Sequence, residues 1–182
     1  MHINARSLSK NIDTIITEIS LLRNKPSVIA ISETWVRTDD DPYLIPGYTS
    51  ILKARKGRPG GGVGLFIQDL VNLKYKLRPD LSTHMSFESL FIQLSNKNHK
   101  DSIIGIIYKP PDTDVLKFTK DMEQVLSIIL KERRPCYLLG DFNINLLKHA
   151  KHVPTQHFLD TLIASGFYPL INKPTRIAEN SA

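Results

Sequence analysis

Apolar residues recur along this sequence with helical spacing in some segments and with strand spacing in others. Residues 11–22 carry isoleucine and leucine every three or four positions, which predicts an amphipathic helix. Residues 115–134 repeat the pattern over a longer stretch, and residues 158–163 predict a short third helix. Shorter apolar runs separate these helices, so the chain is predicted to be a mixed α/β protein.

The shorter apolar runs fall into two kinds of predicted strand. Nearly continuous apolar runs, typical of buried strands, occupy residues 28–31, 65–67, 103–108 and 136–139. Alternating runs, typical of strands with one exposed face, occupy residues 73–78 and 90–94. Residues 38–49 contain three consecutive aspartates, two prolines and a glycine, so we expect a loop there.

Three of the predicted buried strands end in polar residues that do not suit a core. Glu33 follows the first, Tyr108 ends the second, and Asp141 and Asn143 follow the third. Strand ends are rigid supports that can bring such groups together at one rim. Each residue also has an ordinary structural interpretation, because Glu33 could cap a helix, Tyr108 could pack at an edge, and Asp141 and Asn143 are common in turns.

Composition narrows the class of protein further. The 182 residues are 41% hydrophobic and 23% charged, which is ordinary for a globular domain. No apolar run approaches the roughly 18 residues of a membrane span, so no membrane association is expected. Cys136 is the single cysteine, which excludes an intrachain disulfide and favours a reducing, intracellular location.

Positive charge is concentrated in residues 51–80. This segment has seven basic and two acidic side chains, so it carries +5 of the net charge of +6. Such a segment suits a nucleic-acid backbone, although a solvated loop without a ligand has the same composition. Glycines at 60–62 and 64 lack the lysine and hydroxyl residue of a P-loop, and they favour a hairpin turn over a phosphate cradle.

Several short motifs occur in a fixed order along the chain. They are NARSL at 4–8, ISETW at 31–35, GGVGL at 61–65, IYKPP at 107–111, GDFN at 140–143 and KPTR at 173–176. This series resembles the endonuclease/exonuclease/phosphatase superfamily, and within it the endonuclease domain of non-LTR, LINE-type retrotransposons. The resemblance spans essentially residues 1–182 and implies a single αββα sandwich like that of deoxyribonuclease I.

The resemblance also implies a role for each polar residue at the predicted rim. Glu33 and Asn4 match the residues that hold and support a Mg²⁺ ion, or Mn²⁺ in its place. Tyr108 matches the tyrosine that bonds the scissile phosphate or the attacking water, and Asp141 matches the acid that orients or deprotonates that water. Asn143 matches the amide that holds a phosphate oxygen, so the expected reaction is hydrolysis of a DNA phosphodiester.

The expected partners follow from the basic segment together with the same resemblance. Residues expected to contact DNA are Lys53, Arg55, Lys56, Arg58, Thr34 and Thr175. In a full-length element a reverse transcriptase domain would follow in the same chain, and the protein would act in the nucleus if its target were chromosomal.

Two departures from the family pattern qualify these expectations. Arg6 stands where relatives often carry Asp or Asn. A Ser-Asp-His motif that normally follows is not among the 182 residues, so we expect a partial domain without its C-terminal strands, inactive or weak alone. The alternatives are a non-catalytic DNA-binding remnant and a phosphatase that acts on a small phosphorylated substrate.

Overall fold

The computed structural model describes residues 1–70, 73–82, 86–96 and 99–171, together with Lys173 and Thr175. The helices are α1 (Leu8–Leu21), α2 (Val115–Glu132) and α3 (Val153–Ala164). The strands are β1 (His2–Asn4), β2 (Val28–Ser32), β3 (Tyr48–Lys53), β4 (Val63–Gln68), β5 (Leu73–Leu77), β6 (Glu88–Asn96), β7 (His99–Tyr108) and β8 (Cys136–Asp141). Two short 3₁₀ helices lie at Pro79–Leu81 and Leu146–Lys151.

The strands form two four-stranded sheets that pack face to face. Their strand orders are β1-β2-β4-β3 and β5-β6-β7-β8. The layer between them is apolar, with Leu65 and Ile67 of β4 packed in one cluster with Ile92 of β6 and Ile106 of β7. This burial explains why β2, β4 and β7 are nearly continuous apolar runs in the sequence.

Helices cover the outer face of each sheet. Helix α1 buries Ile15 and Ile19 in a cluster with Ile29 and Phe66 of the first sheet. Helices α2 and α3 cover the second sheet, where Phe118 packs edge-on against Phe87 and obliquely against Phe158. The predicted αββα sandwich is therefore confirmed.

Two predictions from the sequence are corrected. The predicted loop over residues 38–49 ends earlier, because β3 begins at Tyr48 and pairs antiparallel with β4. The run 136–139 was predicted to be buried, yet among the described strands β8 lies at the edge of its sheet, and Tyr137 is 54% exposed. Strand β7, by contrast, is flanked by β6 and β8, as its apolar sequence indicates.

No helix in the described part of the chain is long and apolar enough to cross a membrane.

Candidate active site

Two parallel strand pairs bring the predicted site residues to one rim of the sandwich. Strand β1 runs parallel to β2 with Asn4 opposite Ser32, so Glu33 follows directly beside Asn4. Strand β7 runs parallel to β8 with Tyr108 opposite Asp141. Because parallel strands end at the same edge of a sheet, all of these side chains emerge at their carboxyl ends.

Asn4 joins the two sheets at this rim. Its Nδ2 donates hydrogen bonds to Glu33 Oε1 at 2.8 Å and to Asp141 Oδ2 at 2.9 Å. The two carboxylates are 108 positions apart in the sequence and still share one amide. The predicted proximity of Asn4, Glu33 and Asp141 is therefore confirmed, while their catalytic roles stay predictions.

Asp141 is held on its other side by Asn143. The Asn143 backbone N–H donates to Asp141 Oδ1 at 3.0 Å, and Asn143 Nδ2 donates to the Lys109 carbonyl at 2.8 Å. Each Asp141 oxygen thus accepts one hydrogen bond, which fixes the carboxylate in one orientation. The second hydrogen on Asn143 Nδ2 remains available for another acceptor.

Tyr108 lies almost fully buried beside this cluster. Burial raises the pKa of its hydroxyl above the ordinary value, and the negative charge of Glu33 raises it further. The positive charge of Arg55, whose Cζ atom lies 5.5 Å from the centre of the Tyr108 ring, opposes that rise. The phenol therefore stays protonated near neutral pH and can donate a hydrogen bond.

Strained backbone clusters around the same rim. Left-handed φ angles occur at non-glycine residues that flank the site, namely Arg6, Ser7, Glu33, Trp35 and Asn143. Such conformations cost about 1–3 kcal/mol each and persist where the surrounding structure enforces them. Glu33 and Trp35 are enforced by their neighbours, because Ser7 N donates to the Glu33 carbonyl and Trp35 N donates to the Gly61 carbonyl.

Gly140 allows Asp141 to reach the rim. It has a φ of +148°, and a Cβ atom there would lie 1.8 Å from the Ile107 carbonyl oxygen. Because this neighbour is backbone, we expect Gly140→Ala to lower the free energy of unfolding by about 2 kcal/mol or more. Urea denaturation checks this, with Gly166→Ala as a control that shares a positive φ but has open space around its Cβ. Equal losses in the two variants would contradict the steric argument.

The residues predicted to contact DNA are placed differently from one another. Lys56 and Thr175 are exposed, and Arg58 pairs with Asp112 at the surface at 2.8 Å. Lys53 Nζ donates to the carbonyls of Ser82 and Ser89, at 3.2 and 3.0 Å, and is partly buried.

The other two predicted DNA contacts are largely withdrawn from solvent. Thr34 is 1% exposed, so its hydroxyl does not reach the surface, which corrects the expectation for that residue. Arg55 forms an ion pair with Glu88, and only 12% of its side chain is exposed. The basic segment is also divided, because Arg78 pairs with Glu132 at the end of α2.

Two residues at the rim were missed in the sequence. Glu88 begins β6 opposite Tyr108, and only the partner strand reveals its position. His2 precedes Asn4 by two positions on β1, so both side chains point to the same face. Its Nε2 lies 3.1 Å from Ser32 Oγ, and burial lowers its pKa to about 4. The i, i+2 spacing of His2 and Asn4 is the one signal that could have found it.

The donors at the rim suit a hard cation. Within the described residues, no group of three or more His, Cys, Asp or Glu side chains converges into a closed metal cage. Glu33 and Asp141 instead provide two carboxylates linked through Asn4. Mg²⁺ is typically bound through one or two carboxylates and keeps several waters, so this donor set fits it.

The arrangement of the sheets and helices defines the fold. Two packed four-stranded sheets, flanked by helices and carrying polar groups at the strand ends, form a deoxyribonuclease I-like fold. No known family profile and no curated protein sequence matches this chain, so the fold assignment depends on solved structures.

Three solved structures illustrate the similarity. The endonuclease domain of TRAS1, a telomere-specific non-LTR retrotransposon, superposes with a TM-score of 0.68 at 13% identity, covering 91% of this chain and 70% of that one. The human Nocturnin catalytic domain has a TM-score of 0.59 at 18% identity, covering 86% and 63%. The 3′ phosphatase NExo from Neisseria, bound to product DNA hairpin, has a TM-score of 0.56 at 16% identity, covering 90% and 69%.

Proposed function

We propose that this chain is a metal-dependent phosphodiester hydrolase of the retrotransposon endonuclease type, which nicks DNA by attack of water. The observation that carries the proposal is the Asn4 amide, which joins the Glu33 and Asp141 carboxylates at one rim. Two carboxylates on rigid strand ends, one beside a protonated phenol, are the groups that hydrolysis of a phosphate ester needs.

Glu33 and Asn4 would hold the metal ion, Mg²⁺ or Mn²⁺. Glu33 Oε1 is fixed by Asn4 Nδ2, and Asn4 Oδ1 accepts from the Arg6 backbone N–H at 3.3 Å. The bound metal would stabilise negative charge on the phosphate. Arg6 takes part here through its backbone, so the arginine side chain does not interrupt the support of Asn4.

The other residues act on water and on the phosphate. Asp141, oriented from both sides by Asn4 and Asn143, accepts a proton from the attacking water as its oxygen bonds to phosphorus. At the same time the bond from phosphorus to one deoxyribose oxygen breaks, and that leaving oxygen takes up a proton from solvent. Tyr108, kept protonated by its surroundings, donates a hydrogen bond to a phosphate oxygen. The free hydrogen of Asn143 Nδ2 donates to the same developing charge.

DNA is the substrate that the surroundings favour. The segment between β3 and β4 contains Lys56, which is exposed, and Arg58, which forms an ion pair at the surface. This segment reaches the rim at Val63, where β4 begins. Neighbours of this fold include the TRAS1 endonuclease and NExo with product DNA. A nuclear location and a following reverse transcriptase domain remain expectations from the resemblance.

A phosphatase is the second candidate. The internal contacts of Lys53 and Arg55 leave less free positive charge near the rim. A small phosphorylated substrate needs less positive charge around the site than a nucleic-acid polymer does. ANGEL2, a 2′,3′-cyclic phosphatase, shares the fold at a TM-score of 0.52 and 19% identity. Comparing hydrolysis of duplex DNA with that of a small phosphate monoester separates the two activities.

Metal binding at Glu33 tests the proposal directly. We expect the chain to bind Mn²⁺, detected by electron paramagnetic resonance of the free ion, and Glu33→Gln to weaken binding about tenfold or more. Glu18→Gln, which makes the same change on the exposed face of α1, is the matched control and should bind as the parent does. Equal affinity in the parent and in Glu33→Gln would refute the assignment of Glu33.

A further inference from the structure

Arg55 occupies a position that differs from those of its basic neighbours. It follows the end of β3, and its guanidinium Nε donates to Glu88 Oε1 in an ion pair whose side chains are 12% and 19% exposed. Lys56, the next residue, is exposed to solvent. Because its guanidinium is already paired with a carboxylate, Arg55 is less available to a phosphate than a basic side chain without such a partner.

The partner carboxylate is shared with the glycine loop at 60–62. Glu88 Oε2 accepts a hydrogen bond from the Gly62 backbone N–H, while Oε1 accepts from Arg55. Gly61 makes room for the guanidinium, because a Cβ atom there would lie 2.2 Å from Arg55 Cζ. Arg55, Glu88 and the loop are therefore one packed unit.

This unit lies against Tyr108. Glu88 is paired directly opposite Tyr108 across β6 and β7, and the Arg55 guanidinium stacks 5.5 Å from the ring centre. A guanidinium at this distance is attracted to the face of an aromatic ring, more strongly where water is excluded. Arg55 Nη2 is buried without a hydrogen-bond partner among the described residues, so the guanidinium keeps one unused donor enclosed beside Tyr108.

We infer that Arg55 is a positioning residue: held by Glu88, it fixes the Tyr108 ring and the loop at 60–62 at the rim, and it does not bind DNA phosphate. The inference rests on the proposed function, in which Tyr108 donates a hydrogen bond to the phosphate. It assigns the phosphate contacts in this segment to Lys56 and Arg58.

The first measurement is the salt dependence of duplex DNA binding. Lys56→Gln should reduce the log–log slope of affinity against salt by about 0.9, the value for one lost phosphate contact. Arg55→Gln, the matched change at the neighbouring residue, should leave that slope unchanged. A slope reduced by about 0.9 in Arg55→Gln would overturn the inference, because it would place Arg55 on the DNA.

The second measurement uses the free protein. With ¹³C-labelled tyrosine, the Tyr108 ring signal is assigned by its loss in Tyr108→Phe, and the other five tyrosines serve as internal references. Arg55→Gln and Glu88→Gln should both move the Tyr108 signal, whereas Lys56→Gln should not. If Arg55→Gln does not fold, Arg55→Lys replaces it, because lysine lacks the planar group that pairs and stacks at once.

The two measurements distinguish a failure of this inference from a failure of the proposed function. A Tyr108 signal that is unchanged in folded Glu88→Gln would overturn the positioning role, whatever the DNA result. If the parent chain does not bind DNA, the proposed function loses its substrate, and the tyrosine spectra alone then decide whether the Arg55–Glu88 pair positions Tyr108.

Discussion

Supercoiled plasmid should be nicked about 10²–10³-fold faster by a version of this chain extended through a Ser-Asp-His segment than by residues 1–182 alone. In the superfamily that the chain resembles, this histidine gives a preorganised donor to the phosphate, and one such donor is typically worth that factor in rate.

The nicking experiment has an internal control for the site. Asp141→Asn in the extended version should abolish the gain, because the attacking water loses its proton acceptor. Asp160→Asn, an equivalent change on the exposed face of α3, should leave the rate unchanged. Robust nicking by residues 1–182 that Asp141→Asn abolishes would show instead that a residue already at the rim supplies the donor.

The positions of the main site residues could be predicted because they depend on local sequence. Glu33, Tyr108 and Asp141 each end or follow an apolar strand, and strand ends of parallel pairs meet at one edge. The sequence alone cannot show which strands are parallel. The convergence of these residues was implied by the family resemblance, and the hydrogen bonds from Asn4 to Glu33 and Asp141 agree with it.

Strand burial was harder to predict because it depends on the neighbours of each strand. Residues 136–139 are as apolar as a central strand, but β8 has a partner on one side within the described sheet, so its side chains are partly exposed. Strand β3 was missed because its first residues, Tyr48 to Ser50, follow a proline and glycine and lack an apolar run. Its pairing with β4 determines its structure.

Charge pairing over long separations was not predictable. Arg55 and Glu88 are 33 residues apart, and Lys53 meets the Ser89 carbonyl 36 residues away. The sequence alone does not distinguish Lys53 and Arg55 from Lys56, because all three are basic residues in one short segment. The difference arises only when β3 and β6 come together at the rim. Arg55 is then enclosed beside Glu88, whereas Lys56 stays exposed.

The stability of the folded chain should fall as His2 is forced to accept a proton. In the unfolded chain a histidine has a pKa near 6.5, while burial of His2 in the folded protein lowers its pKa to about 4. Below pH 6.5 the unfolded state therefore binds more protons than the folded state, so stability decreases as the pH falls. This one group should cost about 2 kcal/mol between pH 7.5 and pH 5, and about 3 kcal/mol by pH 4.

The test compares urea denaturation of the parent chain and of His2→Gln at pH 7.5 and pH 5. The variant keeps a polar side chain at the position that contacts the Ser32 hydroxyl but cannot titrate, so its stability should lose about 2 kcal/mol less over this interval. The carboxyl groups with depressed pKa values, such as Asp80 beside Arg78, are common to both proteins and cancel in the difference. If the two proteins lose the same free energy between these pH values, His2 titrates normally in the folded state and its burial beside Ser32 does not disfavour the charge.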